Sequence, residues 1–264
     1  MKRNRLRELL NEGKPTIGTH VISPWPGIVE IIGHSGAFDY VEYTGEYSPF
    51  SLEQMDNFGR AIELFPDMSS MMKVEEHGRG FIAGRALNAG IQNVLFASCR
   101  SVDDVRECIR MVRPETPQDG GVHGCALSRN VGYGVWVGSD EWMRATQDTV
   151  VAIMIEKQVA VDNLAEMLSV KGVDMVQFGP ADYSISTGRP WQPERVELQQ
   201  THQAMIEMAL TKGVAPRVEV GSVEQAKPFF EMGVRHFCIG WDVFVMSVWC
   251  REQGEAWKGL LAMK

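Results

Sequence analysis

The sequence predicts a (β/α)8 barrel, also called a TIM barrel, on three observations. Eight short apolar runs recur at fairly regular intervals, segments with helical spacing lie between them, and polar or ionisable residues stand at the carboxyl end of most runs. In a parallel barrel the strand ends and the βα loops converge on one face, which carries the active site. The polar residues are therefore expected to form one site there.

The eight apolar runs have the length of buried strands. They are Ile17–Ile22, Phe38–Tyr43, Met71–Val74, Val94–Ala97, Val151–Ile155, Met175–Phe178, Ala215–Val220 and His236–Ile239. The polar residues at or beyond their far ends are His20, Glu46 with Tyr47, Lys73, Cys99, Glu156, Asp182, Arg217 with Glu219, and Asp242.

Between the runs, apolar residues recur with the period of an amphipathic helix. The clearest such segments are Ser51–Phe65, Ser101–Val112, Val161–Val170 and Gly221–Met232. Strands that alternate with helices of this length predict βαβ units and a parallel sheet. A closed barrel is favoured over an open doubly wound sheet, because neither a Rossmann GxGxxG nor a P-loop follows an early strand.

Length and composition agree with one domain that spans residues 1–264. A chain of 264 residues with 44% apolar and 23% charged residues can bury a large core, and α/β barrels often run to about 250 residues. The net charge of −8 argues against a nucleic-acid surface, which needs a clustered basic patch. The five cysteines form no CxxC pair, so neither a disulfide framework nor a zinc ribbon is expected.

The N-terminal segment Met1–Gly13 is charged throughout and predicts an amphipathic helix with Leu6, Leu9 and Leu10 on one side. It lacks the hydrophobic core of a signal peptide, and no apolar run approaches membrane-spanning length. The cytoplasm is the expected location, and no membrane partner is expected.

One glycine-rich stretch, 114–138, interrupts the alternation between the fourth and fifth strands. It is too long for an ordinary connection, which is typical of a functional loop or lid. Packing against another subunit is an equal alternative.

Two carboxylates stand on adjacent strand ends. Glu156 closes an apolar strand, and Asp182 follows the next strand in the turn Gly179–Pro180–Ala181–Asp182. Such a pair can share one hard divalent cation, while the free N–H groups of Ala181 and Asp182 can face a substrate carboxylate. A 2-oxo acid could then bind the metal, which would stabilise its enolate. The residue types equally allow Glu156 to pair with a buried arginine and Asp182 to cap a helix.

The block VAIMIEKQVAVDNLAEMLSVKGVDMVQFGPADYSISTG closely resembles a block of the HpcH/HpaI aldolases, which are class II, metal-dependent pyruvate aldolases related to citrate lyase β-subunits. The segments Ile17–Thr19, Phe38–Pro49 and Ala86–Phe96 are similar to further motifs of that family. The resemblance implies a (β/α)8 barrel that assembles as a homo-hexamer, a trimer of dimers, with the last helix exchanged between subunits. It also implies a divalent metal ion (Mg²⁺, Mn²⁺ or Co²⁺) on Glu156 and Asp182.

Several family residues are replaced. Tyr47 and Asn88 stand where the aldolases have the histidine and aspartate of the acid–base pair, Lys73 stands for an arginine, and His20 stands for a tryptophan. A tyrosine has an ordinary pKa near 10 and is a poor base at neutral pH. Lysine keeps the positive charge of arginine but not its planar fork. A vestigial site is one reading; because the replacements stay polar, we favour an altered reaction centre.

The leading hypothesis is a metal-dependent carbon–carbon lyase that acts on a 2-oxo acid and an aldehyde-type substrate through a pyruvate-like enolate. Glu156 and Asp182 bind the metal, Gly179, Ala181 and Asp182 bind the substrate, and Lys73, Tyr47 and His20 are the catalytic candidates. The alternatives are a mutase or synthase of the wider phosphoenolpyruvate-type barrel group and a catalytically silent oligomeric binding protein. The electrophile cannot be read from the sequence.

Overall fold

A computed structural model gives the fold and describes residues 1–263. Within them eight parallel strands close into a barrel in chain order, with β1 paired to both β2 and β8. The strands are β1 Thr16–Val21, β2 Tyr40–Thr44, β3 Ser69–Val74, β4 Asn93–Phe96, β5 Val151–Ile155, β6 Met175–Phe178, β7 Ala215–Val220 and β8 His236–Trp241. The predicted (β/α)8 barrel is confirmed, and each predicted run overlaps one strand.

Helices connect the strands around the outside. They are α1 Arg5–Asn11, α2 Pro26–Ser35, α3 Leu52–Glu63, α4 Arg79–Asn88, α5 Val102–Val112, α6 Asp140–Gln147, α7 Gln158–Asp162, α8 Leu164–Met167, α9 Pro180–Ser186, α10 Val196–Lys212, α11 Val223–Glu231 and α12 Asp242–Leu261. A 3-10 turn covers Arg129–Gly134. Within residues 1–263, no helix combines the length and the apolar character that crossing a bilayer requires.

Local sequence explains where several helices begin and end. Ser51 and Ser101 cap α3 and α5, each in a capping box that satisfies two N–H groups of the first turn. The single helix predicted over Val161–Val170 is wrong, because the segment divides at Asn163 into α7 and α8. The Asn163 side chain donates to the Val159 carbonyl over 2.9 Å, and this local bond competes with a continuous helix.

The strands separate two apolar cores. Outward residues pack under the helices, as Val41 and Tyr43 of β2 do. Inward residues fill the lower barrel, where Leu6 of α1 packs with Tyr40 and other inward side chains. The predicted N-terminal helix thus closes the amino-terminal end of the barrel, which leaves the carboxyl-terminal end open.

The segment 114–138 lies at the closed end. It connects the end of α5 to α6 and the start of β5, and together with α1 it lines a cavity of about 920 Å³ through residues such as Arg129 and Tyr133. The segment therefore does not cover the mouth of its own barrel, because a connection from a helix to the next strand runs at the amino-terminal face; that it is a functional loop stays a prediction. Its packing against another subunit stays a prediction.

Candidate active site

The carboxyl-terminal mouth of the barrel brings together the two predicted metal ligands and two of the predicted catalytic residues. Glu156 directly follows β5, Asp182 lies in the first turn of α9, Lys73 is the penultimate residue of β3, and Tyr47 follows β2. Lys73 and Asp182 both act electrostatically on Glu156, which places their charges close to it. The Nζ of Lys73 lies 4.7 Å from the centre of the Tyr47 ring.

Glu156 is held firmly on one side and left free on the other. Its Oε1 accepts hydrogen bonds from the backbone N–H (2.7 Å) and the hydroxyl (2.8 Å) of Ser98, which adopts a left-handed backbone with φ of 53°. Its Oε2 is buried and has no hydrogen-bond partner in the described part of the chain. Burial raises the pKa of Glu156, while the charge of Lys73 and the Ser98 hydroxyl oppose that shift. An unsatisfied buried carboxylate oxygen costs free energy unless a ligand completes it.

Because Gly179 has no side chain, Oε2 of Glu156 can lie directly against its backbone. A Cβ at position 179 would lie 2.5 Å from Oε2 of Glu156 and 2.7 Å from its Cβ. Only glycine therefore lets β6 end this close to the carboxylate. The glycine of the predicted turn is thus required by close packing and not by its backbone conformation, since a φ of −105° is open to other residues.

Asp182 supplies the second carboxylate. Its side chain is 41% exposed, and its Oδ1 lies 3.6 Å from Nζ of Lys157. Pro180 begins α9, and the N–H groups of Ala181 and Asp182 have no acceptor within the helix because they belong to its first turn. These N–H groups and the carboxylates of Glu156 and Asp182 all lie at the mouth of the barrel.

The donor set fits a divalent cation completed by substrate. Carboxylate oxygens are the ligands that Mg²⁺ and similar ions prefer, and such ions commonly keep open positions for water and substrate oxygens. Across residues 1–263 no group of three or more His, Cys, Asp or Glu side chains is arranged to hold a metal. A cation at this mouth would therefore depend on Glu156, Asp182 and non-protein oxygens.

Lys73 forms an ion pair at the floor of the mouth. Its Nζ lies 2.6 Å from Oε2 of Glu46, and both side chains are largely buried. Burial and the negative charges of Glu46, Asp182 and Glu156 raise the pKa of Tyr47 well above its ordinary value. Tyr47 therefore keeps its proton at neutral pH and is a hydrogen-bond donor rather than a base.

His20 lies beneath the mouth. Its side chain is 2% exposed, and the Trp241 ring covers it at a centroid distance of 5.1 Å. Its Nδ1 lies 3.2 Å from Oε1 of Glu42, and its Nε2 lies 3.4 Å from Oε1 of Glu219. Burial lowers its pKa, but Cys238 and the two carboxylates outweigh that effect and raise it overall. The His20 ring therefore lies between two carboxylates that favour its protonated form.

An ion pair inside the barrel lies next to this histidine. Arg217 of β7 contacts Glu42 of β2 at 2.5 Å, and both side chains are fully buried. Arg217 also donates from Nε to the hydroxyl of Tyr40 over 2.7 Å and from Nη1 to Oε1 of Gln177. Burial raises the pKa of Glu42, but Arg217, His20 and Lys73 outweigh it and lower the pKa to about 2.

Asn88 does not join the site. It is the last residue of α4, at the amino-terminal end of the barrel, where its Oδ1 accepts a hydrogen bond from Ser128 over 3.3 Å. Within one chain, therefore, Tyr47 and Asn88 lie at opposite ends of the barrel. The resemblance had aligned these two residues with the acid–base pair of the aldolases.

Several residues of the site were not predicted from the sequence. Ser98 fixes Glu156, whereas Glu42 and Gln177 belong to the buried network. A signal existed for the network: in β7 the polar residues Arg217 and Glu219 alternate with valines, which places both on the inward face. Nothing in the sequence marked Ser98.

Comparisons with known proteins identify relatives along almost the whole chain. The sequence model of the family described as HpcH/HpaI aldolase/citrate lyase matches residues 25–247. The 4-hydroxy-2-oxo-heptane-1,7-dioate aldolase of Escherichia coli (strain Crooks) is 27% identical over 250 residues, which cover 92% of this chain and 91% of the relative.

Two solved structures share the fold. A family protein from Burkholderia cenocepacia J2315 superposes with a TM-score of 0.86 at 22% identity over 98% of this chain and 100% of the other. The citrate synthase SbnG gives a TM-score of 0.84 at 21% identity, covering 97% of this chain and 98% of the other. With the family match over most of its length, this chain belongs to the HpcH/HpaI aldolase/citrate lyase family.

Proposed function

We propose that the protein is a metal-dependent carbon–carbon lyase that cleaves or forms an aldol-type bond of a 2-oxo acid through a pyruvate-like enolate. The observation that carries this proposal is the half-satisfied Glu156: Ser98 fixes one oxygen, and the other is buried, unpartnered and next to Asp182 in the mouth. Family membership agrees with it, and the relative from Escherichia coli is named as an aldolase of a 4-hydroxy-2-oxo acid.

Glu156 and Asp182 hold the cation in this proposal. The bound ion, Mg²⁺, Mn²⁺ or Co²⁺, supplies Lewis-acid stabilisation of the negative charge on the enolate oxygen. The N–H groups of Ala181 and Asp182, at the start of α9, bind the substrate carboxylate. Gly179 keeps the strand end clear, so that Glu156 and the substrate lie side by side.

Lys73 and Tyr47 act on the other side of the substrate. Lys73 brings positive charge near the enolate oxygen as a point charge, and its pairing with Glu46 fixes its position. Tyr47 is half exposed and keeps its proton at Oη, so it donates a hydrogen bond to the carbonyl oxygen of the electrophile and stabilises the negative charge that develops there as the new bond forms.

His20 has an indirect part. The Trp241 ring covers the His20 ring, and Nε2 of His20 faces the Glu219 carboxylate. His20 therefore does not contact a substrate in the mouth directly. We place His20 as a positioning residue for the Glu219 carboxylate. A proton that His20 exchanges with the mouth must pass through that carboxylate.

The proposed assembly is a homo-hexamer in which α12 packs on a neighbouring subunit. None of the residues of α12, all of which the structure describes, is buried against its own barrel. Large apolar side chains on it are 45–78% exposed; they include Phe244, Met246, Trp249, Trp257 and Leu261. An apolar surface of this extent on a soluble chain marks an interaction site.

The test of the function is condensation of pyruvate with an aldehyde, with the product followed by mass spectrometry. Product should form with Mg²⁺, stop with EDTA and return with excess Mg²⁺. Borohydride added with pyruvate should leave the protein mass unchanged, because Lys73 acts through its charge and not as a Schiff base. Product formation that survives EDTA, together with a borohydride-trapped adduct on Lys73, would contradict the proposal.

A further inference from the structure

The carboxyl-terminal end of β7 carries a carboxylate to which the proposed reaction gives no contact with the substrate. Glu219 is the penultimate residue of β7, and it shares the inward face of that strand with Arg217. Its side chain is 36% exposed, whereas those of His20, Glu42 and Arg217 behind it are at most 2% exposed. An open carboxylate therefore covers a closed ionic network and faces the space that the substrate enters.

Neighbouring donors hold this carboxylate in one orientation. Trp241 donates from Nε1 to Oε1 over 2.7 Å, and Gln177 donates from Nε2 to Oε2 over 3.2 Å. The buried Nε2 of His20 lies 3.4 Å from the same Oε1 and has no hydrogen-bond partner among the residues that the structure describes. Rotating Glu219 away would leave the Trp241 and Gln177 donors unpaired, which is costly. Oε2 accepts one hydrogen bond and keeps a lone pair for another donor, whereas the second lone pair of Oε1 faces His20.

The proposal rests on the aldolase function above. We propose that Glu219 is the specificity-determining residue for the electrophile, and that the site selects an uncharged, hydroxylated aldehyde over one that carries a carboxylate. An ionised carboxylate only accepts hydrogen bonds, so the group that binds it must be a donor. A carboxylate on the electrophile offers no donor and brings a like charge.

A hydroxyl group fits better than an ammonium group. Behind Glu219, Arg217 contacts Glu42 and the His20 ring lies between Glu42 and Glu219, so basic side chains accompany both carboxylates. What Glu219 offers the substrate is therefore a fixed acceptor rather than an excess of negative charge. Sites that hydrogen-bond a substrate hydroxyl discriminate strongly against analogues without it, because their polar groups would stay unpaired.

The experiment compares kcat/KM for condensation of pyruvate with glyceraldehyde, propanal and succinate semialdehyde. The wild type should prefer glyceraldehyde to each of the others by at least about tenfold. Glu219→Leu should lose most of the preference for glyceraldehyde over propanal and over succinate semialdehyde. Trp241→Phe removes one donor that holds the carboxylate, so it should lower both of these kcat/KM ratios, but by less. Glu224→Gln, an equal charge change on exposed α11, is the matched control and should keep the wild-type ratios.

The ratios decide between roles for Glu219. A purely structural or acid–base role would lower kcat/KM for all three aldehydes by the same factor. Unchanged ratios in Glu219→Leu, or a wild type that prefers succinate semialdehyde, would overturn the inference. The proposed function is tested separately by exchange of pyruvate methyl protons in D₂O, which needs no electrophile: a wild type without exchange would contradict the function itself.

Discussion

The Glu42–Arg217 ion pair connects the inward faces of β2 and β7 across the barrel interior, below the mouth. Both charges are fully buried, so each depends on the other for the interactions that it loses from water. The pair also lies under His20, whose Nδ1 contacts the other oxygen of Glu42. One network of contacts therefore both stabilises the barrel and helps to position the Glu219 carboxylate.

Replacing Glu42 with Gln should lower the free energy of unfolding at pH 7 by about 3–5 kcal/mol, because Arg217 would remain as an uncompensated buried charge. Denaturant unfolding measures this. The double variant Glu42→Gln/Arg217→Met is the control and should lose less than the sum of the two single changes. Additive losses would contradict the account.

The same pair predicts a pH dependence. The pKa of Glu42 is lowered in the fold to about 2 from 4.5, so its contribution to stability is fully present above about pH 4.5 and is lost as the pH falls towards 2. The shift corresponds to about 3 kcal/mol. The stability difference between wild type and Glu42→Gln should therefore shrink from pH 6 to pH 3, as denaturant titrations at each pH would show. A constant difference would be inconsistent with a lowered pKa.

Among the elements, the turn between β6 and α9 does most to shape the site. Gly179 ends the strand against Glu156, and Pro180 starts the helix whose first turn contains Ala181 and Asp182. The turn thus sets the spacing between the two carboxylates by backbone packing. This spacing is the condition for one ion to contact both.

Gly179→Ala should abolish or strongly weaken binding of Mn²⁺ or Mg²⁺ while the chain stays folded, because the new Cβ would lie 2.5 Å from Oε2 of Glu156. Isothermal titration calorimetry measures the affinity, and circular dichroism checks the fold. Gly84→Ala in α4 is the matched control, since a Cβ there meets nothing within 4 Å. Wild-type affinity in Gly179→Ala would contradict this arrangement of the site.

The sequence predicted the elements well where local signals determine them. Eight apolar runs located the strands, and Ser51 and Ser101 marked helix starts that the structure confirms. The prediction was wrong at Asn163, where a hydrogen bond from the side chain to the backbone interrupts a helical pattern. The sequence also did not indicate at which end of the barrel the segment 114–138 lies.

The candidate metal ligands Glu156 and Asp182 could be proposed from residue type, turn and resemblance, whereas the buried network of Arg217 and Glu42 could not be predicted. The partners Arg217 and Glu42 are 175 residues apart, and their contact exists only because β2 and β7 face one another inside a closed barrel. Glu219 was noticed as a strand-end residue, yet its open side and its donors follow from packing. The position of Ser98 beside Glu156 likewise depends on the neighbouring strands β4 and β5.

At the scale of the whole molecule, the barrel is closed by α1 at one end, open at the mouth and flanked by an apolar helix. We predict that Trp249→Glu/Trp257→Glu in α12 gives smaller assemblies than the wild type, because buried charge disrupts an apolar interface. Size-exclusion chromatography with light scattering measures the mass. Lys258→Glu, which changes charge on the same helix without removing apolar surface, should leave it unchanged. An unaltered mass of the double variant would exclude α12 as the interface.

The central claim is that Glu156 and Asp182 hold a divalent ion that supports enolate formation from a 2-oxo acid. It is tested most directly by nuclear magnetic resonance of pyruvate in D₂O, which follows loss of the methyl proton signal. In the presence of Mg²⁺ or Mn²⁺ the wild type should exchange these protons for deuterium, and EDTA should stop the exchange. Glu156→Ala and Asp182→Ala should each lower the rate by at least about a hundredfold, while Glu224→Gln should retain it. Exchange that persists in EDTA, or in both carboxylate variants, would contradict the claim.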